Sequence, residues 1–378
     1  MTVAYVNMPY TLITDATENG IHQGIAQWLA NCNGPYPRTI LKFAFVGAPA
    51  VLTTPLLPPG TPQLQGARWE GMAKRATVLA WAPADPSTPI LASRGQFRNF
   101  KFSEFSVKSL VKEAAGFYFL SSVTSSNQDG RFYNVEFMGN WDYAIGLNGG
   151  TDANLNSEMM FDGLACSNDA SFKRSLFLCG MTPNKHPGDH QQEDQFLNYT
   201  FQNTKFEGSD GNYIQLNFGG SVTIQGFNSW LHTGQSNLDS EGNAVPQGTM
   251  IMIPPGPHND SVCTLVVNRI RAELRGPQSK VIDCGWGASG HVAFIGLDDT
   301  ANTYRVGNKE SATYRGASRI SYSDCSLGGY HMIHDTNPTS IRYTSCHSKS
   351  GNIFTAATSG NSMVRYDTSS IPKVYVSP

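Results

Sequence analysis

A short phrase recurs along the chain and constrains its fold more than any other feature. It consists of an apolar residue, any residue, a small polar residue, two further residues and often a second apolar one, as in "FYNVEF" and "FQNTKF". Successive copies lie 21 to 42 residues apart, and a period in the twenties with longer insertions is typical of repeat architectures. The small polar residue falls at Asn99, Asn134, Asp162, Asn203, Gly226, Asn268, Gly296, Asp324 and Ser345.

The phrase predicts short strands that stack on one another. One unit of this size cannot bury its apolar side alone, so neighbouring units must pack together. Alternating apolar residues then point into a shared interior, and the small polar residue marks a bend. We therefore expect an all-β fold, a right-handed parallel β-helix, with Cys325 and Cys346 adjacent in an internal stack. A β-sandwich is the alternative, but the two-residue hairpin turns that it needs are sparse.

Composition supports strands and turns over helices. Only 15 % of residues are charged, and the chain has 37 glycines, whereas helix-rich proteins carry more Lys, Glu and Arg on their solvent faces. The net charge is −2 and no basic stripe is present, so we expect no nucleic-acid partner. No apolar run is long enough to span a membrane.

The seven cysteines are scattered without C-x-x-C spacing, which indicates neither a disulfide framework nor a zinc site. Six lie in or beside strand-like runs, where free cysteine behaves as a small buried hydrophobe; they are Cys166, Cys179, Cys263, Cys284, Cys325 and Cys346. We expect no metal and no other cofactor. The opening "MTVAYVNMPYTLITDATENG" has no signal-peptide pattern, so we expect synthesis in a reducing cytoplasm.

One amphipathic helix is predicted before the first repeat. Asp15 is a candidate N-cap, and Glu18 follows three residues later, which is the spacing of a capping box. The apolar face of this helix consists of Ile21, Ile25 and Leu29. The expected domains are an N-terminal arm with the capping helix over 1–36 and a β-helix over 37–378.

The segment that begins with this helix resembles a known family. The succession "DATENGIHQGIAQWLANC", "RTILKFAF", "AVLTTPLLPP", "QLQGARWEG" and "ATVLAW" is similar to the start of pectin-lyase-like β-helix proteins, in particular the tailspike and tail-associated proteins of bacteriophages. The resemblance covers about residues 15–81. It implies a virion location, a homotrimer, other virion proteins as partners and contact with host-surface polysaccharide.

The enzymes of this fold leave no clear signature in the chain. The segment "RGPQSK" at Arg275 lacks the second arginine of the pectate lyase pattern. The segments "SGHVAF" at Ser289 and "NRIRAE" at Asn268 do not match the polygalacturonase motifs. Whether the chain is an enzyme stays open, and a polysaccharide hydrolase or lyase is the class that the resemblance implies.

Glycoside hydrolysis needs two carboxyl groups that face one cleft, and Glu207 and Asp210 in "KFEGSDGNY" are the first candidates for catalytic acid and base. Asp298 with Asp299, and Asp162, are further candidates. The alternative is that these residues belong to turns, because Asp beside Gly is a bend signal.

Aromatic residues offer a second route to function. Trp141 and Trp230 follow repeat strands, next to Asp142 and His232. A flat ring flanked by polar groups is suited to stack on a sugar, so these four residues are candidate glycan-binding residues. Packing between repeats, or a subunit interface, is the alternative interpretation of the two tryptophans.

Two histidine-containing segments complete the candidates. The polar loop "NKHPGDHQQEDQF", with His186 and His190, is interpreted as a solvated insertion because the Pro-Gly between the histidines disfavours a helix. The segment "YHMIHDTN" places His331, His334 and Asp335 at a strand end, without a nucleophile motif.

Three functions are compatible with these observations. The first is a phage virion structural protein, a tail-associated or other exterior spike, that contacts host-surface glycan. The second is a purely architectural spike, and the third is a glycan depolymerase.

Overall fold

The computed structural model describes residues 9–120, 127–148, 156–180, 198–208, 210–217, 221–232, 248–254, 264–274, 279–285, 290–299, 310–314, 319–333, 340–348, 355–357, 363–367 and 375–376. Within these residues the chain forms one helix and many short strands, and every strand pairing is parallel. The helix is α1 (Glu18–Ala30), and the strands in chain order are β1 (Tyr10–Ile13), β2 (Ile40–Phe43), β3 (Ala50–Leu52), β4 (Leu64–Gln65), β5 (Arg68–Glu70), β6 (Val78–Trp81), β7 (Leu91–Arg94), β8 (Phe97–Arg98), β9 (Lys101–Ser109), β10 (Ala114–Leu120), β11 (Asn127–Gln128), β12 (Arg131–Met138), β13 (Asn140–Asn148), β14 (Asn156–Ser157), β15 (Met160–Asp162), β16 (Ala165–Cys166), β17 (Ser171–Cys179), β18 (Tyr199–Gln202), β19 (Lys205–Phe206), β20 (Asn212–Leu216), β21 (Ser221–Gln225), β22 (Asn228–His232), β23 (Thr249–Ile253), β24 (Thr264–Asn268), β25 (Ile270–Leu274), β26 (Lys280–Cys284), β27 (His291–Ile295), β28 (Glu310–Tyr314), β29 (Arg319–Ser323), β30 (Ser326–Leu327), β31 (Tyr330–Ile333), β32 (Ser340–Thr344), β33 (His347–Ser348), β34 (Thr355–Ala357), β35 (Met363–Asp367) and β36 (Tyr375–Val376).

The strands lie in long files, and the chain visits the files in the same order on each pass. File 1 contains β1, β2, β5, the first part of β9, the first part of β12, β15, β18, β21, β24, β27, β29, β32 and β35. File 2 follows it on each pass and contains β3, β6, the later parts of β9 and β12, β16, β19, β22 and β25. File 3 is an eleven-stranded sheet from β7 to β36, and a short file contains β4, β8, β11 and β14. This all-β arrangement of stacked parallel sheets is consistent with the predicted parallel β-helix.

The stack is held together by an apolar interior with residues in register. One interior row of file 1 is largely aromatic, and it contains Leu41, Trp69, Phe102, Phe132, Phe161, Phe201, Ile224, Val267, Phe294, Tyr322 and Tyr343. The rings of Phe161 and Phe201 stack with centroids 4.5 Å apart, and those of Phe294 and Tyr322 are 4.9 Å apart. Offset stacking of this kind adds to the burial of apolar area.

The predicted cysteine stack is present. Ser326 pairs with His347, so Cys325 and Cys346 precede matched positions on neighbouring passes, and both thiols are buried. Cys166, Cys179 and Cys284 are also buried thiols, as the sequence predicted, whereas Cys263 lies outside the described residues.

Helix α1 packs against the first strands, but it begins later than predicted. Thr17 is the N-cap and accepts a hydrogen bond from the Gly20 amide at 3.1 Å, while Asp15 accepts one from the Thr17 amide. Glu18 does not close a capping box. Its carboxylate accepts hydrogen bonds from the amides and hydroxyls of Thr53 and Thr54. Partial burial opposes ionisation, but these donors lower the Glu18 pKa to about 2, and so tie the helix to the pass that follows it.

Candidate functional site

The bend between files 1 and 2 is one residue in the left-handed backbone conformation on pass after pass. The residues with positive φ at this bend are Glu104, Asn134, Gly163, Asn203, Gly226, Arg269, Gly296, Asp324 and Ser345. Six of them are the small polar residues of the repeated phrase. At Asp162 and Asn268 the phrase predicted the bend one residue too early, because the residues with positive φ are Gly163 and Arg269. Asn99 belongs to a second bend, which precedes file 1.

Side chains at the first bend bond to their neighbours along the stack. Asn134 donates from Nδ2 to Glu104 Oε1, and Asn203 donates from Nδ2 to Asp162 Oδ1, both at 3.0 Å. Asp162, a candidate carboxylate, is therefore a partner in this bend. The Asn203 amide oxygen also accepts the Phe227 backbone N–H at 3.3 Å. The candidate site lies where three later copies of this bend meet.

This site is a groove of about 340 Å³ over three successive passes. Its lining comes from Gly226–Ser229, Arg269–Arg271, Gly296 and Asp298. Phe227 stands immediately after the bend and is 83 % exposed, more than any other exposed large hydrophobic residue in the described part of the chain. Exposing a phenyl ring is unfavourable in water, and its place beside the groove makes Phe227 the candidate contact residue.

The charged lining of the groove comes from two arginines and one aspartate. Arg269 is held at φ +60, where the equivalent residues of the neighbouring passes are Gly226 and Gly296. A positive φ is unfavourable for arginine, so the backbone conformation alone would favour glycine at this position. Arginine instead adds a guanidinium group to the lining of the groove. The Arg269 side chain crosses the face of Gly296, because a Cβ atom there would lie 3.5 Å from Arg269 Cγ.

Arg271 and Asp298 are adjacent in file 2, on neighbouring passes. The Arg271 guanidinium pairs with Glu273 at 3.1 Å and its side chain is 62 % exposed. The groove therefore combines one flat apolar ring, two guanidinium groups, a carboxylate and the Ser229 hydroxyl. Asn228 is buried, with its side-chain amide bonded to Thr204 and to the Gln225 carbonyl. A concave surface with few, converging polar groups around an aromatic ring is typical of small-molecule recognition.

A larger groove, about 640 Å³, lies beside the cap helix. Much of its lining is proline, namely Pro55, Pro58 and Pro59, together with Leu57. His22, one of its polar groups, is hydrogen-bonded to Thr54 at 2.9 Å. Unlike the Phe227 groove, it has no Phe, Tyr or Trp among its described lining residues.

Glu207 and Asp210 lie in different surroundings. Glu207 forms an ion pair with Lys205 at 3.1 Å. It also adds to the acidic surroundings of Arg75, whose pKa is raised first by its hydrogen bonds to Glu136 and then by charges that include Glu207. Asp210 is buried beside the end of file 2. The arrangement resembles a structural ion-pair group more than a carboxylate pair across a cleft.

The two candidate tryptophans are core residues. Trp141 is buried, donates from Nε1 to the Met138 carbonyl at 2.8 Å and packs edge-on against Phe137. Trp230 is buried, and its Nε1 donates to Thr204 Oγ1 at 2.8 Å. Neither ring has a free face for a sugar, so the alternative interpretation, packing between passes, holds for both.

The polar neighbours of these tryptophans are also engaged. His232 is buried, its Nε2 lies 2.8 Å from the Gly211 carbonyl and its Nδ1 lies 2.7 Å from the Ser279 hydroxyl. Burial lowers the His232 pKa to about 4. Asp142 accepts a hydrogen bond from Arg174 Nε at 2.8 Å. A glycan-binding role for these two residues would require their release from these contacts.

The remaining candidates divide between the core and the undescribed segments. Asp299 is fully buried; burial raises its pKa to about 7, and its Oδ2 has no hydrogen-bond partner among the described residues. His331 is buried, with Nδ1 2.6 Å from the Tyr343 hydroxyl. His186 and His190, with the rest of their loop to Asp194, lie outside the described residues, as do His334 and Asp335.

Comparison with known proteins gives no relative: no family model, no curated protein and no solved structure matches this chain. In the part of the chain that the structure describes, no helix is long and apolar enough to cross a membrane. Over the same residues, no group of three or more His, Cys, Asp or Glu is placed to hold a metal ion.

Proposed function

We propose that this chain is a right-handed parallel β-helix of the bacteriophage tailspike or tail-associated type, a virion protein that contacts host-surface glycan through the Phe227 groove. The observation that carries this proposal is the 83 % exposure of Phe227 beside Arg269 and Arg271. The resemblance of residues 15–81 to tail-associated β-helix proteins supports the virion location, and trimer formation is part of the same proposal.

The chemistry of the groove suits a saccharide. A pyranose ring presents an apolar face of C–H groups and a rim of hydroxyls. Phe227 offers the matching flat apolar surface, and the Ser229 hydroxyl offers a donor and an acceptor for the rim. Arginine adds a planar set of donors that fits hydroxyl pairs or a carboxylate.

The proposal is tested by the variant Phe227→Ala on an array of bacterial surface polysaccharides. The loss of one central aromatic contact is expected to weaken binding about tenfold or more. Tyr36→Ala is the matched control, because Tyr36 is also an exposed aromatic residue and lies near the cap helix. Equal binding by Phe227→Ala and the parent protein would remove the groove from the proposal.

The oligomer is tested separately by the mass in solution. Sedimentation equilibrium should give three times the chain mass of 41.1 kDa. A monomer that binds neither host envelope nor virus particles would contradict both the trimer and the virion assignment.

A further inference from the structure

Three cationic side chains form a row on the outer face of file 1, well before the Phe227 groove. Arg68 pairs in register with Lys101, and Lys101 pairs with Arg131. Adjacent strands are about 4.8 Å apart, so the three side chains leave the sheet one above another. Met160 follows Arg131 in register on the next pass, so the cationic row ends there.

This row, which we call the cation row, has no carboxylate partner among the residues that the structure describes. In the described part of the chain no ion pair involves Arg68, Lys101 or Arg131, and the one recorded contact of these charges places Lys101 Nζ 4.9 Å from the centre of the Tyr133 ring. Of the acidic residues near the row, Glu70 pairs with Lys42 and Glu104 accepts a hydrogen bond from Asn134. Asp129, two residues before Arg131, is exposed at a bend and forms no ion pair with a described residue.

Several basic residues elsewhere in the fold pair with acids, whereas others, such as Arg319 and Arg365, form no ion pair with a described residue. Arg75 makes a bidentate contact with Glu136, Arg174 pairs with Asp142, and Arg342 pairs with Asp367. Like charges directly opposite on neighbouring strands destabilise a sheet. The mutual repulsion of three cations in a row therefore destabilises the unbound protein. An anion bound along the row would make the electrostatic contribution of these cations favourable.

We propose that the cation row binds a linear anionic polysaccharide that runs along the stack. A polymer with repeated acidic groups can place successive anions against successive cations. Each arginine can bind a carboxylate or sulfate through two parallel hydrogen bonds. Tyr133, 40 % exposed in the adjacent row, adds an apolar surface on which a sugar ring can rest beside the charges.

A nucleic acid fits the row less well. Nucleic-acid binders neutralise phosphates with Lys and Arg side chains that form a basic patch or stripe on a domain of high pI. Here three cations stand in a line on a chain with net charge −2. The row and the Phe227 groove share no residue, so each site can fail without the other.

The test measures binding of the whole chain to polygalacturonate, which carries carboxylates, and to dextran sulfate, which carries sulfates, with neutral dextran and a single-stranded oligonucleotide as comparisons. The row variant carries Arg68→Gln, Lys101→Gln and Arg131→Gln. We expect at least a tenfold loss of affinity for the anionic polysaccharide. The slope of log affinity against log salt should become shallower by about 2 to 3, one contact per cation removed.

A matched control variant also removes three positive charges, but from exposed basic residues that already form ion pairs with acids. It carries Lys173→Gln, Lys205→Gln and Arg342→Gln. Its affinity for the polysaccharide should stay within about twofold of the parent value, because the three residues lie outside the cation row. Their exposed ion pairs contribute little to the stability of the fold, so the control variant should also remain folded. Circular dichroism and thermal unfolding show that both variants are folded before binding is compared.

Four results would overturn the proposal. They are absence of binding to both anionic polysaccharides, unchanged affinity in the row variant, an equal loss in the control variant, and tighter binding to the oligonucleotide than to either polysaccharide. Loss confined to the row variant, with preference for carboxylate or for sulfate, supports it and identifies the acidic group.

Discussion

Asp299 gives the sharpest quantitative prediction, because its carboxyl is fully buried in the stack. Burial raises its pKa from the ordinary 3.8 to about 7, which the Gly328 amide and the Ser311 hydroxyl offset only in part. One pKa unit corresponds to about 1.4 kcal/mol. Ionised Asp299 should therefore cost the native state roughly 4 kcal/mol relative to the unfolded chain.

The sign follows from proton binding. Between pH 4 and pH 7 the native state keeps a proton on Asp299 that the unfolded chain has lost, so this residue makes stability fall as pH rises through that window. Above pH 7 the full cost is present. The variant Asp299→Asn, similar in shape and never charged, removes this dependence.

The assay is the urea denaturation midpoint of both proteins from pH 4 to pH 8. Near pH 4 the two should have similar free energies of unfolding, and at pH 8 Asp299→Asn should be more stable by up to about 4 kcal/mol. The buried histidines are present in both proteins, so their titration cancels in the difference. Asp324→Asn, at an exposed bend, is the control. A stability difference that stays constant across this pH range would refute the reasoning.

Two further predictions concern stability. Burial lowers the His232 pKa to about 4, so the protein should lose stability as pH falls from 6.5 to 4, and His232→Gln should lessen that loss in urea titrations; an unchanged slope would contradict it. Gly211→Ala should destabilise far more than Gly60→Ala, although both have φ near +80, because a Cβ at Gly211 would lie 1.9 Å from the Phe172 carbonyl oxygen and one at Gly60 meets nothing within 4 Å. Thermal unfolding should show a loss of about 1–2 kcal/mol at Gly60 and a clearly larger one at Gly211, and similar losses would contradict this reasoning.

The repeated phrase predicted the parallel stack because bends have a local chemical cause. Asn, Asp and Gly tolerate positive φ, so Asn134, Asn203 and Gly226 could be recognised without any long-range information. Arg269 was missed because nothing local requires an arginine in that conformation. The one-residue error at Asn268 has the same origin.

The candidate binding residues were harder to predict because they depend on long-range register. The pairing of file 3 shifts between Trp141 and Tyr143, and a shift of one residue exchanges the inside and outside of a strand. Phe227 looked like another apolar strand residue, yet it follows a bend and points outward. Arg68, Lys101 and Arg131 are about 30 residues apart in sequence, and only the pairing between passes makes them neighbours.

The bend between files 1 and 2 also determines where this protein can change during evolution. From β9 onward that corner keeps a nearly constant length, as where Asn268 ends one strand and Ile270 begins the next; only the first two passes have longer connections there, from Phe43 to Ala50 and from Glu70 to Val78. The connections that leave file 2 vary widely, from Leu274 to Lys280 on one pass and from His232 to Thr249 on another. Insertions can therefore accumulate in the connections that leave file 2, while the stacked strands of files 1 and 2 are conserved. Related chains could acquire new outer surfaces in this way without having to evolve a new fold.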